Sequence, residues 1–325
     1  METHTDPSLG FDSRARFRPV ELIDVVVVAY RSARYLRRCV APLCAEEDFH
    51  VVVVDNACPE HSLATVDGLP VEIVEMGRNA GFGAGCNAGA ARGSADAILF
   101  LNPDARMSPA NVRLLADRLA SDPSLAAVGP RMLEADGTRQ LTIRREPRLA
   151  SAFGEALLLH HLFPDSELTE IVRSGYETTQ DAEWLGGAVL CVRRTAFEQI
   201  GGFDERFFMY SEDIDLGRRL RAAGYRLLYD PAAVADHEGG GSTPESRNPV
   251  LRANARIAYA AIHEPRSRYA AFRLAIALHE LVRLPLAATR SSAAFRERAE
   301  ALLAAVTWNP DEWLTREPRS AERRR

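Results

Sequence analysis

Short apolar runs rich in β-branched residues, separated by helix-like stretches, constrain this chain more than any other feature. The first four runs are 23–30, 50–55, 71–74 and 96–101. Most are apolar at consecutive positions rather than at alternate ones, which is typical of strands in a parallel sheet covered by helices on both faces. We therefore predict an α/β domain with a mostly parallel central sheet.

The rest of the chain continues this pattern and then changes character. We predict helices over 32–41, 87–92, 109–120 and 212–223, and further strands over 126–129, 188–192 and 225–229. Residues 144–182 are irregular and are predicted to form a loop or lid. The predicted organisation is a disordered tail (1–20), one α/β domain (21–262) and an Arg- and Ala-rich helical extension (263–325).

Composition narrows the class of protein. The net charge is −5, so no overall basic field indicates a nucleic-acid partner. The chain contains no lysine, so all 40 Lys and Arg residues are arginines. Five scattered cysteines without CxxC spacing favour free thiols in a reducing cytosol. The sequence shows neither a signal peptide nor an apolar run long enough to span a bilayer, and we expect a cytoplasmic protein.

Polar residues follow two of the predicted strands. Asp55 and Asn56 end the second strand, and Asn102 and Asp104 follow the fourth. Ligands of open α/β sheets bind beyond the carboxyl ends of the strands, so these four residues are expected to share one crevice. An acidic residue there can hold a divalent cation that bridges a diphosphate, although a simple turn or helix cap is the common alternative.

An acidic cluster opens the predicted helix 212–223. Glu212, Asp213 and Asp215 can act merely as favourable charges at a helix amino terminus, or one of them can face the crevice as a general base. The glycine pair and clustered aromatic residues of 201–210 favour the catalytic interpretation.

Two other motifs are weaker when taken alone. His237, followed by a glycine run, could supply a metal nitrogen, although an isolated histidine usually has another role. The glycine-rich segment 77–89 could bring backbone N–H groups to a phosphate or could simply pack tightly. It does not match a Walker loop or a dinucleotide-binding fingerprint.

Taken together in order, the motifs resemble the family 2 glycosyltransferases, in particular their rhamnosyltransferase-like branch with the GT-A fold. The matching segments are VVVVAYRSARYLRRCV, VVVVDNA, GRNAGFGAGCNAG, ILFLNPDARM, the stretch from WLGGAVLCVRR to GYRLLYDP, and ADHEGGGS. They span about residues 23–243, and their joint order is far more specific than any one motif.

The resemblance implies a role for each site residue. Asp213 would be the catalytic base with Glu212 beside it, and Asp104 and His237 would bind Mg²⁺ or Mn²⁺. Asn102 stands where many members have the first Asp of a DxD motif. The residues implied to bind the nucleotide sugar are Tyr30, Asp55, Asn56, Asn79, Gly81, Phe82, Asn87, Asn102, Trp184, Gly186 and Gly187.

The implied reaction is an inverting transfer of a sugar from a nucleotide-diphosphate donor, with dTDP-rhamnose favoured, to a hydroxyl of a glycan or lipid-linked acceptor. The cation, with arginines such as Arg218, would neutralise the leaving diphosphate. A sugar nucleotidyltransferase is the alternative enzyme class, although the residues after the first strand, 29–32, lack its glycine-rich loop. A non-catalytic nucleotide-sugar-binding domain is the other alternative.

The extension 263–325 leaves alternatives open. Its segment 269–284 has the pattern of an amphipathic helix that could lie on the inner face of the cell membrane, with Arg283 and Arg290 near lipid phosphates. It could instead pack on the catalytic domain or form a homodimer contact.

Overall fold

The computed structural model describes residues 22–238, 248–307 and 309. This part of the chain forms one nine-stranded sheet and a separate two-stranded sheet. The strands are β1 (Ile23–Ala29), β2 (Phe49–Asp55), β3 (Glu72–Glu75), β4 (Ala97–Leu101), β5 (Ala105–Met107), β6 (Leu125–Leu133), β7 (Ile143–Arg144), β8 (Gln180–Ala182), β9 (Trp184–Leu185), β10 (Val189–Arg193) and β11 (Arg226–His237). The helices are α1 (Leu36–Cys44), α2 (Phe82–Ala90), α3 (Pro109–Ser121), α4 (Leu149–Ala156), α5 (Arg194–Gln199), α6 (Glu212–Ala222), α7 (Pro249–His263), α8 (Arg266–Arg290) and α9 (Ser292–Thr307), with short 3₁₀ helices at Ser62–Val66 and Leu159–His161.

The large sheet has the order β3-β2-β1-β4-β10-β6-β11-β5, with β8 paired to β11. The strands β1, β2, β3 and β4 are mutually parallel, and β6 is parallel to β11. Because β10 is antiparallel to both β4 and β6, it is inserted in reverse between these two parallel groups. The prediction of a mostly parallel sheet is confirmed.

The β1 strand shows why the runs lack alternation. Val25 and Val27 belong to one hydrophobic core, shared with α1 and α3, whereas Val26 and Val28 belong to a second core, shared with α2, α5 and α6. Both faces of the strand are therefore buried, and each of these four valines is at most 6% exposed. The predicted helical layers on both faces are confirmed.

Helix α2 begins five residues before the predicted start at Asn87, inside the glycine-rich segment. A Cβ atom at Gly85 would lie 2.8 Å from Val28, and one at Gly89 would lie 2.4 Å from Val26. These two glycines therefore let the helix approach β1 closely, which agrees with the packing interpretation. Glycine is intrinsically unfavourable in helices, so the sequence pattern did not predict the first residues of α2 as helical.

Two other segments differ from expectation. Residues 144–182 are not one loop, because they contain α4 and β8, which are too short to produce a clear periodic pattern. The β11 strand continues past the predicted end at Tyr229 to His237, with a register shift between Asp230 and Val234. Pro231 falls within this irregularity and interrupts the apolar pattern that predicts strands.

The predicted C-terminal helical extension is present as α8 and α9, preceded by α7. The expected boundary at 262/263 falls at the end of α7. None of the described helices combines the length and apolar character needed to cross a membrane. The predicted tail 1–20, the glycine run 239–241 and the terminal arginines lie outside the described residues.

Candidate active site

The sheet topology brings the predicted site residues to one edge. The β1, β2, β4 and β11 strands all end there, and the reversed strands β5 and β10 begin there. The residues at or next to these strand ends are Tyr30, Asp55, Asn56, Asn102, Asp104, Gly186, Gly187 and His237. Residues from six separate strands therefore meet at the carboxyl edge.

Asp104 and His237 are neighbours at this edge, although they are 133 positions apart in the chain. The antiparallel pairing of β5 with β11 places His237 opposite Ala105. The His237 Nε2 atom lies 3.4 Å from Asp104 Oδ1, and the Asp104 side chain is 1% exposed. The short strand after the Asn102-Pro103-Asp104 turn thus brings the acidic residue to the histidine.

Gln140, which sequence reasoning missed, orients the His237 ring. The Gln140 Nε2 group donates a hydrogen bond to the His237 carbonyl oxygen, 3.1 Å away. With the amide held this way, its Oε1 atom accepts from His237 Nδ1 at 3.0 Å. The proton is thereby kept on Nδ1, and the Nε2 lone pair is directed towards Asp104, as in histidines that bind metals.

The Asp104–His237 pair has the chemistry and spacing to share one cation. Two ligands at about 2.1 Å from a metal and at right angles to each other lie about 3 Å apart, close to the observed 3.4 Å. In the described part of the chain no cluster of three or more His, Cys, Asp or Glu residues could hold a metal. A cation here would need further ligands from a bound molecule or water.

The carboxylate of Asp213 is aimed by a strained turn. Tyr210 and Ser211 both have left-handed backbone conformations, with φ of 67° and 65°. Such non-glycine residues are energetically unfavourable and cluster at functional sites. Helix α6 begins directly after these two residues. Asp213 therefore lies in the first turn of the helix and is half-buried at the edge of the site.

One dipeptide links Asp213 to the turn that carries Asp104. The Gly187 N–H donates to Asp213 Oδ2 at 3.2 Å. The carbonyl oxygen of the next residue, Ala188, accepts from the Asn102 N–H at 2.8 Å. The Ile214 N–H donates to the other Asp213 oxygen at 2.9 Å. The Asp213 carboxylate is thus fixed beside the Asn102–Asp104 turn by backbone groups.

Glu212 and Asp213 occupy different environments. Glu212 is 7% exposed and lies near Gly83 and Cys86 of α2. Burial, followed by repulsion from Asp213, raises the pKa of Glu212 to about 8, so this group is mainly protonated at neutral pH. Burial also raises the pKa of Asp213, against which the N–H donors of Gly187 and Ile214 act.

Arg144 is a second residue that sequence reasoning missed. It lies in β7, within the segment predicted to be a loop, and its guanidinium carbon is 5.8 Å from the centre of a Trp184 ring. Burial lowers the pKa of Arg144, and its charge acts on Asp213. The Trp184 indole N–H donates to the Arg145 carbonyl at 2.8 Å, so this tryptophan also fixes the β7 backbone.

The expectation that Arg218 faces the diphosphate is wrong. Its guanidinium forms an ion pair with Glu146 and lies 4.0 Å from Glu264. Because Arg218 follows Asp213 by five residues, it projects from a different side of α6. Arg144, in contrast, has a charge that reaches the Asp213 carboxylate.

Asn56 and Asn79 join the end of β2 to the glycine-rich loop. The Asn56 Nδ2 group donates to Asn79 Oδ1 at 2.9 Å and to the Gly81 carbonyl at 3.2 Å. The Asn56 Oδ1 atom accepts from Ala80 N–H at 2.9 Å. Both the nitrogen and the oxygen of the Asn56 amide are thus hydrogen-bonded within the protein. Asn56 would therefore contribute to ligand binding by shaping the loop.

Gly81, Phe82 and Asn87 support the segment that precedes Asp213. The Phe82 N–H donates to the Phe208 carbonyl at 3.0 Å, and a Cβ atom at Gly81 would lie 2.4 Å from that oxygen. Asn87 exchanges two hydrogen bonds with the Phe203 backbone, each 2.9 Å long. The glycine-rich motif and the aromatic segment 201–210 therefore form one unit.

Tyr30 and Asp55 remain available at the rim. The Tyr30 ring is partly exposed and lies 5.6 Å from the Arg31 guanidinium carbon. Asp55 Oδ1 accepts from the Cys58 N–H at 3.0 Å, which fixes the carboxylate at the end of β2. Gly186 has open space where a Cβ atom would lie.

This sheet and the composition of its carboxyl edge define a glycosyltransferase with the GT-A fold. The family model described as glycosyl transferase family 2 matches residues 24–177, and one described as the N-terminal domain of galactosyltransferase matches residues 171–236. The chain belongs to glycosyl transferase family 2, within which it is rhamnosyltransferase-like.

Two relatives illustrate the similarity. The chain is 33% identical over 258 residues to the N-acetylglucosaminyl-diphospho-decaprenol L-rhamnosyltransferase of Mycobacterium tuberculosis, a match that covers 74% of this chain and 83% of the relative. It is 26% identical over 230 residues to the rhamnosyltransferase WbbL of Escherichia coli, covering 66% and 83%.

Two solved structures agree with the fold. A mannosyltransferase of Pyrobaculum calidifontis in complex with GDP-Man and Mn²⁺ has a TM-score of 0.51 at 16% identity, covering 92% of this chain and 87% of that one. Residues 1–349 of S. aureus TarS in complex with UDP-GlcNAc give 0.53 at 14% identity, covering 90% and 83%.

Proposed function

We propose that this glycosyltransferase is an inverting enzyme that transfers a sugar from a nucleotide-diphosphate donor to a hydroxyl of a lipid-linked glycan. The observation that carries the proposal is the Gly187-Ala188 dipeptide, whose hydrogen bonds join Asp213 to Asn102. A candidate base and a candidate cation-binding pair therefore lie close together at the carboxyl edge of the sheet. An inverting displacement needs these two groups on opposite sides of the donor sugar.

Asp104 and His237 would hold a divalent cation, which would neutralise charge on the leaving diphosphate when bound. The described chain supplies these two ligands, so donor phosphates and water would complete the coordination. The imidazole nitrogen favours Mn²⁺ over Mg²⁺, because Mg²⁺ prefers oxygen ligands. The Mn²⁺ bound to the mannosyltransferase of similar fold is consistent with this choice.

Asp213 would remove the proton from the acceptor hydroxyl while that oxygen bonds to the anomeric carbon. The bond from that carbon to the diphosphate oxygen breaks in the same displacement, which inverts the anomeric configuration. Burial raises the pKa of Asp213, so the carboxylate is a stronger base than an exposed aspartate. Glu212, protonated at neutral pH, adds no second negative charge beside it.

The names of two relatives support a choice of donor and acceptor. Two of them are named rhamnosyltransferases, one acting on an N-acetylglucosaminyl-diphospho-decaprenol. We therefore favour dTDP-rhamnose as the donor and a sugar attached through diphosphate to a polyprenol as the acceptor. The partly exposed Tyr30 and the fixed Asp55 would bind the nucleoside at the rim.

A lipid-linked acceptor requires access to a membrane surface. The α8 and α9 helices carry exposed apolar side chains at Leu274, Leu281, Leu286, Phe295, Leu303 and Val306. We propose that these side chains make a peripheral contact with the inner face of the cell membrane. Arg283 has a different role from the one expected, because its guanidinium donates to the Glu155 carbonyl at 3.0 Å instead of facing lipid. The exposed Arg290 at the end of α8 is free of this constraint.

The test is a donor screen with purified enzyme. A panel of dTDP-, UDP- and GDP-sugars is incubated with Mn²⁺, Mg²⁺ or chelator and with decyl N-acetylglucosaminyl diphosphate as the acceptor probe, and the product anomer is assigned by NMR. We expect metal-dependent transfer from dTDP-rhamnose with inversion. Transfer from another donor alone would overturn the rhamnose assignment, retention would overturn the mechanism, and turnover of no donor would overturn the function.

A further inference from the structure

A cavity lies among α4, α7, α8 and α9, and none of the candidate site residues discussed above lines it. Its volume is about 260 Å³. The charged side chains in its lining are Glu155, Glu170, Arg252, Arg256, Glu280 and Arg298. Buried charged groups around an open volume are costly unless they have partners, so this cavity calls for an explanation.

The cavity adjoins the segment that carries Asp213. Arg252 lies over the Tyr210 ring, with 5.4 Å from its guanidinium carbon to the ring centre. Tyr210 is the first of the two left-handed residues that start α6. A second lining residue, Tyr259, packs in one apolar cluster with Ile214, the residue after Asp213.

Arg144 gives a third connection. Its charge acts both on Asp213 and on Glu170, a residue of the cavity lining. The backbone of Arg144 also forms a β-bridge with Ile171. The cavity lining is therefore connected to the segment of the candidate base through Tyr210, Ile214 and Arg144, on the side formed by β7 and α7.

The charges of the lining balance one another. Three arginines face three glutamates, and the closest pairs are Arg256 with Glu170 and Arg298 with Glu280, each 2.6 Å apart. His279 in the same lining is uncharged at neutral pH, because burial lowers its pKa to about 3. A cavity with balanced, fixed donors and acceptors suits a neutral ligand rich in hydroxyl groups better than a phosphate.

The volume of the cavity and its apolar lining limit the class of ligand further. The remaining lining includes Phe272, Tyr259 and Ile276, which can cover the C–H face of a ring. A volume of about 260 Å³ is below the range of about 300–1,000 Å³ that drug-sized ligands occupy. We propose, resting on the function proposed above, that this cavity binds one pyranose residue of the acceptor and thereby directs its hydroxyl to Asp213.

The test fills the cavity without touching the donor site. Ala275 of α8 and Ala253 of α7 line the cavity, so Ala275→Leu and Ala253→Leu each place a larger side chain in open volume. The matched control is Ala270→Leu, at an exposed position of α8 outside the lining. Each protein is assayed with dTDP-rhamnose, Mn²⁺ and decyl or hexadecyl N-acetylglucosaminyl diphosphate.

We expect both cavity variants to raise the KM for the acceptor at least tenfold, equally for the two chain lengths. Donor hydrolysis without acceptor, and inhibition by decyl diphosphate, which lacks the sugar, should stay at wild-type values. These two readouts also show that the variants fold. The control variant should behave as wild type throughout.

Several results would overturn the proposal. An unchanged acceptor KM in both cavity variants would exclude acceptor binding here. An effect that grows with chain length would assign the cavity to the lipid, and weaker inhibition by decyl diphosphate would assign it to the diphosphate. If wild-type enzyme turned over no nucleotide sugar, the proposed function itself would fail; transfer with an unchanged KM in the variants would reject the cavity proposal alone.

Discussion

At the amino-terminal edge of the sheet, Asp24 is fully buried and its carboxylate has three partners. Arg194 donates at 2.6 Å, the Ala95 N–H at 2.8 Å, and His50 lies 2.8 Å away. At the carboxyl edge, Asp213 and Glu212 are instead held by backbone N–H groups, and burial raises both pKa values. At the amino-terminal edge, the partners of Asp24 neutralise its buried charge. At the carboxyl edge, the raised pKa values let the carboxyl groups bind a proton at a higher pH than exposed carboxylates do.

The largest expected effect comes from removing the charge at the carboxyl edge. Asp213→Asn keeps the shape of the side chain but cannot accept the acceptor proton, so the transfer rate should fall by about 10²–10⁴-fold. Nucleotide-sugar binding, measured by calorimetry, should survive. Wild-type transfer by this variant would rule out Asp213 as the base.

The equivalent change at the other edge should affect stability rather than chemistry. Asp24→Asn removes the buried counter-ion of Arg194, whose other partner, Glu198, is exposed, and this should cost about 3–5 kcal/mol of unfolding free energy. Urea unfolding measures this loss, while the transfer rate per folded molecule should stay unchanged. If Asp24→Asn instead reduced transfer without loss of stability, the contrast between the two edges would be wrong.

Gln140 tests whether orienting His237 matters. Gln140→Ala removes the acceptor of the Nδ1 proton, and losing such a partner of a metal ligand typically costs about 10–100-fold in metal affinity or activity. We expect the Mn²⁺ concentration for half-maximal transfer to rise within that range. The control is His50→Gln, which alters a histidine at the amino-terminal edge and should leave the Mn²⁺ dependence unchanged; equal shifts in both variants would contradict the role of Gln140.

Sequence patterns predicted the sheet well because strands buried on both faces have an unmistakable composition. The valines of β1 and β2 belong to that class, and the polar residues after them followed the general rule for parallel sheets. The pairing of Asp104 with His237 could be predicted only through family resemblance, because the register between β5 and β11 is a long-range property.

Gln140 and Arg144 escaped prediction for a physical reason. Both lie in irregular or very short elements, where no hydrophobic period indicates which side a residue faces. The direction of Arg218 was also mistaken, because nothing local reveals that Glu146, 72 residues away, is its partner. Contacts between distant loops, rather than patterns within elements, determine these side chains.

The smallest expected effect concerns pH and the buried Glu212. Its pKa is about 8 in the folded protein, whereas an exposed glutamate titrates at about 4.3. Between these values the folded protein holds a proton that the unfolded chain releases, so the unfolding free energy falls as pH rises, by up to about 1.4 kcal/mol per pH unit. Glu212→Gln cannot release this proton, and the decline between pH 6 and 8 should become shallower.

Urea unfolding of wild type and Glu212→Gln at pH 6, 7 and 8 measures this slope. Any slope that remains in the variant reports Asp213, whose pKa burial raises in the same direction. Asp136→Asn is the control, because the pKa of this exposed turn residue is lowered by the Thr138 N–H and the group does not titrate in that range. Equal slopes in wild type and Glu212→Gln would mean that Glu212 is already ionised at pH 6. In that case the carboxyl edge would hold two adjacent negative charges, and Asp213 would lose the neutral neighbour on which its assignment as the single base depends.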